Sequence, residues 1–374
     1  MAQTKDHRIN TERLLSLFTE LVSIDSPSFS ERQMADRIEK ELDDLSINWT
    51  EDESGKVTGS TAGNIHGFLP GAGESVLFCA HMDTVQPGIG KKAVVDPDGT
   101  IHSDGTTVLG ADDLAAVAGI LECLRELTES DTPHRPVELL FTTAEEAYTA
   151  GASAFDLSKI RSREAFCFDL SDAIGSYSTQ EPTLISYKVR IRGKAAHAGF
   201  EPEKGISSIL AAANAIAKIR QGRVNDHSTL NIGLIQGGSG TNVVPEETVV
   251  EGELRSAVHE EALELLANLT RTFEDEAKAI GATAEVTHTV HLTAYQVGAD
   301  DPALVHYQKV LDSLGIEKRS KATFGGSDVN VFRRHGLSAI CAGNAMHAAH
   351  TTKEYTNTKE LEDVAGILYG LAHC

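Results

Sequence analysis

Three short apolar runs in this chain each lead into a side chain able to hold a metal ion. Residues 76–80 end on His81, residues 137–143 deliver the adjacent Glu145 and Glu146, and residues 166–168 deliver Asp169. Asp112 follows Gly110 at the head of a segment with helical apolar spacing, and His350 lies near the end of the chain. One imidazole at each end with carboxylates between suits a divalent cation of hard to borderline character. Five protein ligands on a single ion would leave little room for a substrate. Two ions sharing a bridging carboxylate relieve the crowding, and such a pair activates water for hydrolysis. Asp83, two residues beyond His81, can orient that imidazole through its second nitrogen. Of the two glutamates, one can bind metal while the other acts as a base. Each element alone has a plainer explanation: a rim histidine, an Asp-Asp helix cap, a solvated Glu pair. Their joint occurrence at strand ends favours a site.

Such side chains converge if the apolar runs are parallel strands, because open α/β sheets bind ligands beyond the carboxyl ends of their strands. Leu114, Val117, Leu121 and Leu124 recur at helical spacing after Asp112 and Asp113. The middle of the chain has another rhythm. Residues 184–192 nearly alternate, and a helix follows with Ile206, Ile209, Leu210, Ala213 and Ile216 on one face. Strands over 229–235 and 248–254, a helix over about 260–280 and a strand over 284–290 complete a β-α-β-β-α-β order, the ferredoxin-like split motif. After Leu292 the α/β pattern resumes, with a helix over 303–314, an apolar run over 337–341 and a last helix from about residue 357. The expected architecture is a discontinuous catalytic domain, residues 1–180 and 293–374, with a mainly parallel mixed sheet flanked by helices. It is interrupted by an inserted ferredoxin-like α+β lid or dimerisation domain, residues 181–292.

Residues 96–99 and 103–105 read as hairpin turns. They do not form a calcium loop, since Ile101 stands where the turn glycine is required. The glycines of 237–240 lack the Lys-Ser or Lys-Thr of a phosphate loop and read as a lid turn. No G-x-S-x-G occurs, which excludes the serine hydrolase elbow.

With 374 residues the chain exceeds what one core usually serves, so two domains are expected. Thirty-three Lys and Arg against 55 Asp and Glu leave a charge of -22, which repels nucleic acid and anionic membranes. No apolar stretch reaches membrane-span length, and residues 1–7 contain no apolar signal core. The five cysteines are far apart in sequence and form no C-x-x-C pair, as expected of a protein of the reducing cytoplasm.

The segments His81-Met82-Asp83-Thr84-Val85, Gly110-Ala111-Asp112-Asp113, Glu145-Glu146 before Gly151-Ala152, and His350-Thr351-Thr352-Lys353-Glu354-Tyr355 resemble the M20 metallopeptidases. Residues 193–199, 240–246 and 325–328 are further family-like segments in family order, so the likeness spans nearly the whole chain. Within the family it is similar to the peptidase T, or tripeptide aminopeptidase, group. The resemblance implies an exopeptidase acting on short peptides with two divalent ions, zinc foremost and cobalt or manganese as alternatives. It makes His81, Asp112 and Asp169 ligands of one ion and Asp112, Glu146 and His350 ligands of the other. Glu145 is then the general base, Asp83 the residue that orients His81, and His197 a donor to the oxyanion. Asn242 and Arg255 resemble positions that hold a substrate carboxylate, with a surface salt bridge as the competing reading of Arg255. The insert implies a homodimer. Leu114 stands where relatives carry lysine and Tyr148 where they carry glycine, and the tyrosine bears on substrate preference. His347 would face the same way as His350 on a helical turn, and the family pattern favours His350. The same chemistry on another amide, as in an N-acyl amino acid deacylase or a carboxypeptidase-like hydrolase, is the nearest alternative. A metal-bearing binding protein without catalysis is the next.

Overall fold

The computed structural model describes residues 9–130 and 132–374, so the reading of residues 1–7 lies outside the described residues. The chain divides into two compact units. The first runs to Thr179 and resumes over Gln296–Ala322 and Ser327–Cys374; the second comprises Gln180–Tyr295 and Thr323–Gly326.

The first unit is built on a mixed sheet. Its strands lie side by side in the order Asn48–Glu51, Ile65–Leu69, Val137–Thr142, Val76–His81, Glu164–Leu170, Ser338–Gly343 and Ser176–Glu181. The four strands from Val137–Thr142 to Ser338–Gly343 are mutually parallel, and the flanking strands are antiparallel. Every residue of Val76–His81 and Val137–Thr142 is buried. That is why these strands read as unbroken apolar runs: both faces of a parallel sheet are covered. The helix Ala111–Glu129 is buried along nearly its whole length. It touches the terminal helix Thr358–Ala372 so closely that a Cβ at Gly119 would lie 3.0 Å from Val364 Cγ1. Residues 96–99 do turn a hairpin between Val94–Val95 and Thr100–His102. Residues 103–105 do not, because Thr100–His102 pairs next with Tyr355–Asn357. This pairing anchors the chain just beyond His350. Cys79, Cys167 and Cys341, distant in sequence, stand in register on three adjacent strands, buried and unbridged.

The second unit has the sheet order Gly222–Asn225, Ser228–Gly237, Glu247–Ser256, Thr183–Arg192, Thr283–Leu292, all antiparallel. The helices Ser208–Lys218 and His259–Ala279 pack on it through a core that includes Ile185, Val189, Leu254 and Phe273. Apart from the extra edge strand Gly222–Asn225, this is the ferredoxin-like order. The first helix departs from expectation. It buries Ala211, Ala212 and Ala215, while Ile209 and Leu210 are 42% and 51% exposed. Small residues let its backbone approach the sheet, and the larger ones turn outward. No helix among the described residues is long and apolar enough to cross a membrane.

Candidate active site

The carboxyl ends of the parallel strands bring five of the sequence-selected side chains of the first unit into two overlapping groups. His81, Asp112 and Asp169 present ligand atoms within 4.8 Å of one another, and so do Asp112, Glu146 and His350. Asp112 belongs to both. Its Oδ1 lies 3.1 Å from His81 Nε2, and its Oδ2 lies 3.2 Å from His350 Nε2. Asp169 Oδ1 is 3.8 Å from His81 Nε2, and Glu146 Oε1 is 2.9 Å from His350 Nε2.

Local backbone geometry makes this arrangement possible. Gly110 takes a left-handed conformation with φ 80, and Asp112 and Asp113 have non-helical φ/ψ, so the regular helix begins only after them. Neither aspartate caps that helix. Instead, buried Glu354 accepts the amides of Gly110 at 2.7 Å and Asp112 at 3.0 Å. Asp113 accepts the His81 amide at 3.1 Å and the Asn344 side chain at 2.7 Å. The Glu145–Glu146 loop leaves its strand through left-handed Ala144, Tyr148 and Thr149, with φ 48, 65 and 53. It returns under Gly151, where a Cβ would lie 2.1 Å from the Thr143 carbonyl oxygen, so glycine is required.

His81 Nδ1 donates to the main-chain carbonyl of Asp83 at 2.9 Å, with the Asp83 carboxylate at 3.4 Å. The bond to the carbonyl sets the tautomer and leaves Nε2 to face the carboxylates. Asp83 therefore orients His81 through its backbone. Its carboxylate accepts the amides of Glu145 at 2.9 Å and Glu146 at 3.2 Å and the hydroxyl of Ser28 at 2.7 Å. His347 is not on a helical turn with His350: Ala348 and His350 are left-handed, and His347 Nε2 pairs with Glu360 at 2.8 Å.

Burial pushes Asp169 up to about 8 and raises Glu145 well above the usual carboxylate range, with neighbouring acids adding to both. Burial also raises Glu146. Asp112, though buried, is held low by His350 and His81. His350 is raised to about 10 by Asp112 and Glu146. Burial opposes the charge on His81, but Asp112, Asp169 and Asp83 raise it well above its ordinary value. Acids crowded against imidazoles in this way favour a positive charge at their centre. Glu146 Oε1 is buried and has no hydrogen-bond partner, although His350 is at contact distance. The donor set of imidazole nitrogens and carboxylate oxygens, with one carboxylate facing both ways, fits a pair of divalent cations.

The remaining selected residues lie in the second unit. Exposed His197 forms a bridge with Val243, and Ala198 donates to the Asn242 carbonyl at 2.9 Å, so the His197 and Asn242 loops run side by side. His197 Nδ1 accepts the amides of Gly199 at 3.1 Å and Phe200 at 3.2 Å. Nε2 of the neutral ring is therefore left as the donor. Arg255 sits elsewhere. The register pairs Glu247 with Arg192 and Arg255 with Leu184, so Arg255 lies at the far end of that strand from the His197 loop, eight residues or roughly 26 Å away. The fold therefore separates Asn242 from Arg255. The guanidinium is already engaged, donating to Glu253 at 2.8 Å and to the Phe324 carbonyl at 2.7 Å.

The roles of Glu354, Asp113, Asn344 and Glu31 as partners of these loops carry no signature of their own in the sequence. Glu354 stood within a motif, as Asp113 did, but pairing between a carboxylate and a loop amide leaves no periodic signal in a sequence.

Residues 179–281 match the peptidase dimerisation domain of the M20 peptidases, and residues 64–228 match peptidase family M28. The chain is 34% identical to the uncharacterised protein YqjE of Bacillus subtilis, over 97% of this chain and 98% of that one. It is similar to the aminopeptidase PepT of Bacillus cereus, with a TM-score of 0.90, 35% identity, and coverage of 97% of this chain and 98% of the other. A tripeptidase from Staphylococcus aureus superimposes with a TM-score of 0.93 at 32% identity, over 98% of both chains.

Proposed function

We propose that this chain, which belongs to the M20 family of metallopeptidases and to its peptidase T group, removes the N-terminal residue of tripeptides using two divalent cations. The observation that carries the reading is the position of Asp112 between His81 and His350, one carboxylate oxygen toward each. His81, Asp112 and Asp169 would hold one ion and Asp112, Glu146 and His350 the other. Two such cations, zinc foremost and cobalt or manganese as alternatives, lower the pKa of a water from near 16 toward roughly 7 and polarise a carbonyl.

The protein's own part begins with Glu145. It is buried, stands outside both ligand groups, and its raised pKa suits a group that takes a proton from water and returns it to the leaving amine. The Asp83 carboxylate fixes the amides on which Glu145 and Glu146 hang, so the base and one ligand move as a unit. We assign donation to the developing oxyanion to His197 through Nε2. The substrate amine is attracted by the surplus of acids near the metals. Asn242, beside His197, is the better candidate for the far carboxylate, because Arg255 already has two partners. The match to a peptidase dimerisation domain supports a homodimer, and exposed Ile209 and Leu210 of its helix and Leu234 and Ile235 of its strand are candidate contact residues.

A digest of a tripeptide library with added zinc, cobalt or manganese, read by mass, tests the assignment. Release of the N-terminal residue, lost on amine blocking and on chelation, is the expected result. Release from the C-terminus, or preferential cleavage of N-acetylated amino acids, would refute the tripeptidase reading.

A further inference from the structure

Beyond the ligand groups, one fully buried acid is applied to the catalytic loop without a role in the chemistry above. Glu31 is 0% exposed. Its Oε1 accepts three hydrogen bonds: from the amide of Phe29 at 2.8 Å, the amide of Ala144 at 3.0 Å and the hydroxyl of Ser60 at 3.2 Å. Its Oε2 is buried without a hydrogen-bond partner. Ala144 immediately precedes Glu145 and is itself buried, with φ 48, a conformation that residues carrying a Cβ avoid. Strained positions of this kind persist only where the surroundings over-determine them, and they gather at functional sites.

The neighbouring amides show the same design. Thr143 donates to Asn64 at 3.1 Å, Glu145 to one oxygen of Asp83 and Glu146 to the other. Four consecutive amides therefore end on buried side chains from elsewhere in the chain, and Glu31 takes the one at the strained residue. The turn changes the direction in which Glu145 leaves the strand.

We propose that Glu31 is a positioning residue for the reaction, holding the left-handed turn at Ala144 so that Glu145 is aimed for proton transfer. The inference rests on Glu145 being the base, and Glu31 itself touches no substrate. Burial, with Asp83 adding to it, raises the Glu31 pKa, and glutamine matches the side chain in shape.

The test compares Glu31→Gln, Glu31→Asp and the double variant Glu31→Asp with Ala144→Gly, each with kcat, KM and bound metal measured on whichever peptide the parent cleaves. Glutamine keeps the accepting oxygen in place, so kcat should stay within about threefold, whereas aspartate draws it back by roughly 1.5 Å. A displacement of that size should lower kcat by about 10- to 100-fold with KM and metal content unchanged. Glycine at 144 enters the left-handed region freely and should restore at least about tenfold of that loss; a purely structural role gives no reason for such rescue. Full activity of Glu31→Asp, a loss in Glu31→Gln as deep as that in aspartate, absence of rescue, or loss of a metal equivalent would each overturn the proposal. Placed in a Glu145→Gln background, Glu31→Asp should add little further loss, because both act on one step. If Glu145→Gln alone turned over normally, the base assignment would fail on its own terms. An undiminished effect of Glu31→Asp in that background would overturn the present inference separately.

Discussion

Replacing Glu145 by glutamine isolates the proton transfer from everything else the site does. The residue is 8% exposed, belongs to neither ligand group, and hangs from an amide that donates to Asp83 whatever the side chain carries. Glutamine has the same shape, so the loop and both metals should remain. Burial and the nearby Asp169 raise the Glu145 pKa, which means that the folded protein disfavours its charge. In the metal-free protein, removing that charge should leave the melting temperature unchanged or higher. A general base contributes roughly two to four orders of magnitude, or about 3 to 5 kcal/mol of barrier. The assay is kcat on a tripeptide, with metal equivalents determined by emission spectroscopy on the same preparation. A turnover within tenfold of the parent, or the loss of one metal equivalent, would show that Glu145 is not the base or that it is a ligand.

Asp112→Ala should weaken both cations together, whereas His350→Ala should weaken one; selective loss of a single ion from Asp112→Ala would count against sharing. Metal affinity should rise with pH: without a cation, His350 at about 10 and Asp169 at about 8 both carry a proton at neutral pH, and binding must displace it. The gain is up to about tenfold per pH unit for each displaced proton, continuing past pH 8. Calorimetry in buffers of different ionisation enthalpy should register the released protons, and a pH-independent affinity would contradict the arrangement. His197→Ala should lower kcat by about 10²- to 10³-fold with little change in KM, and an unchanged kcat would leave it an ordinary surface histidine. Leu234→Glu combined with Ile235→Glu should shift the sedimentation of the protein toward the monomer, and an unaltered dimer would place the interface elsewhere.

The fold class was legible because buried parallel strands leave unbroken apolar runs and half-covered antiparallel strands leave alternation, two patterns that seldom mimic each other. The lid helix Ser208–Lys218 shows the limit of that reading. Hydropathy weighs Ile209 and Leu210 above Ala211, Ala212 and Ala215, yet close packing on a sheet favours the smaller side chains, so Ile209 and Leu210 point outward while Ile206 and Ile216 of the expected face pack against the core. The separation of Asn242 from Arg255 could have been read from strand length alone. Ten residues of Glu247–Ser256 at about 3.3 Å each span more than a tripeptide's terminal carboxylate can bridge. What sequence could not supply was the loop amides' choice of acceptor. Its spacing from His81 makes Asp83 the expected partner of a histidine ring, but that ring takes its main-chain carbonyl while the carboxylate serves the Glu145–Glu146 loop.

That difference sorts six of the acids around the site into two kinds. Asp83, Asp113 and Glu354 accept hydrogen bonds from backbone amides, and Asp83 and Asp113 also take one from a side chain. Their carboxyl oxygens are thereby spent on shaping the loops. Asp112 and Glu146 meet the rest of the protein through imidazoles at their carboxylate oxygens, and Asp169 approaches one no closer than 3.8 Å. An unpaired buried carboxylate is costly, so a fold that satisfies one set of acids fully and leaves the adjacent set to two histidines has placed that second set for a ligand of opposite charge. The first set is then the reason the second can stay assembled: replacing Glu354 should release the amides of Gly110 and Asp112 and loosen the carboxylate common to both groups, even though Glu354 is outside them.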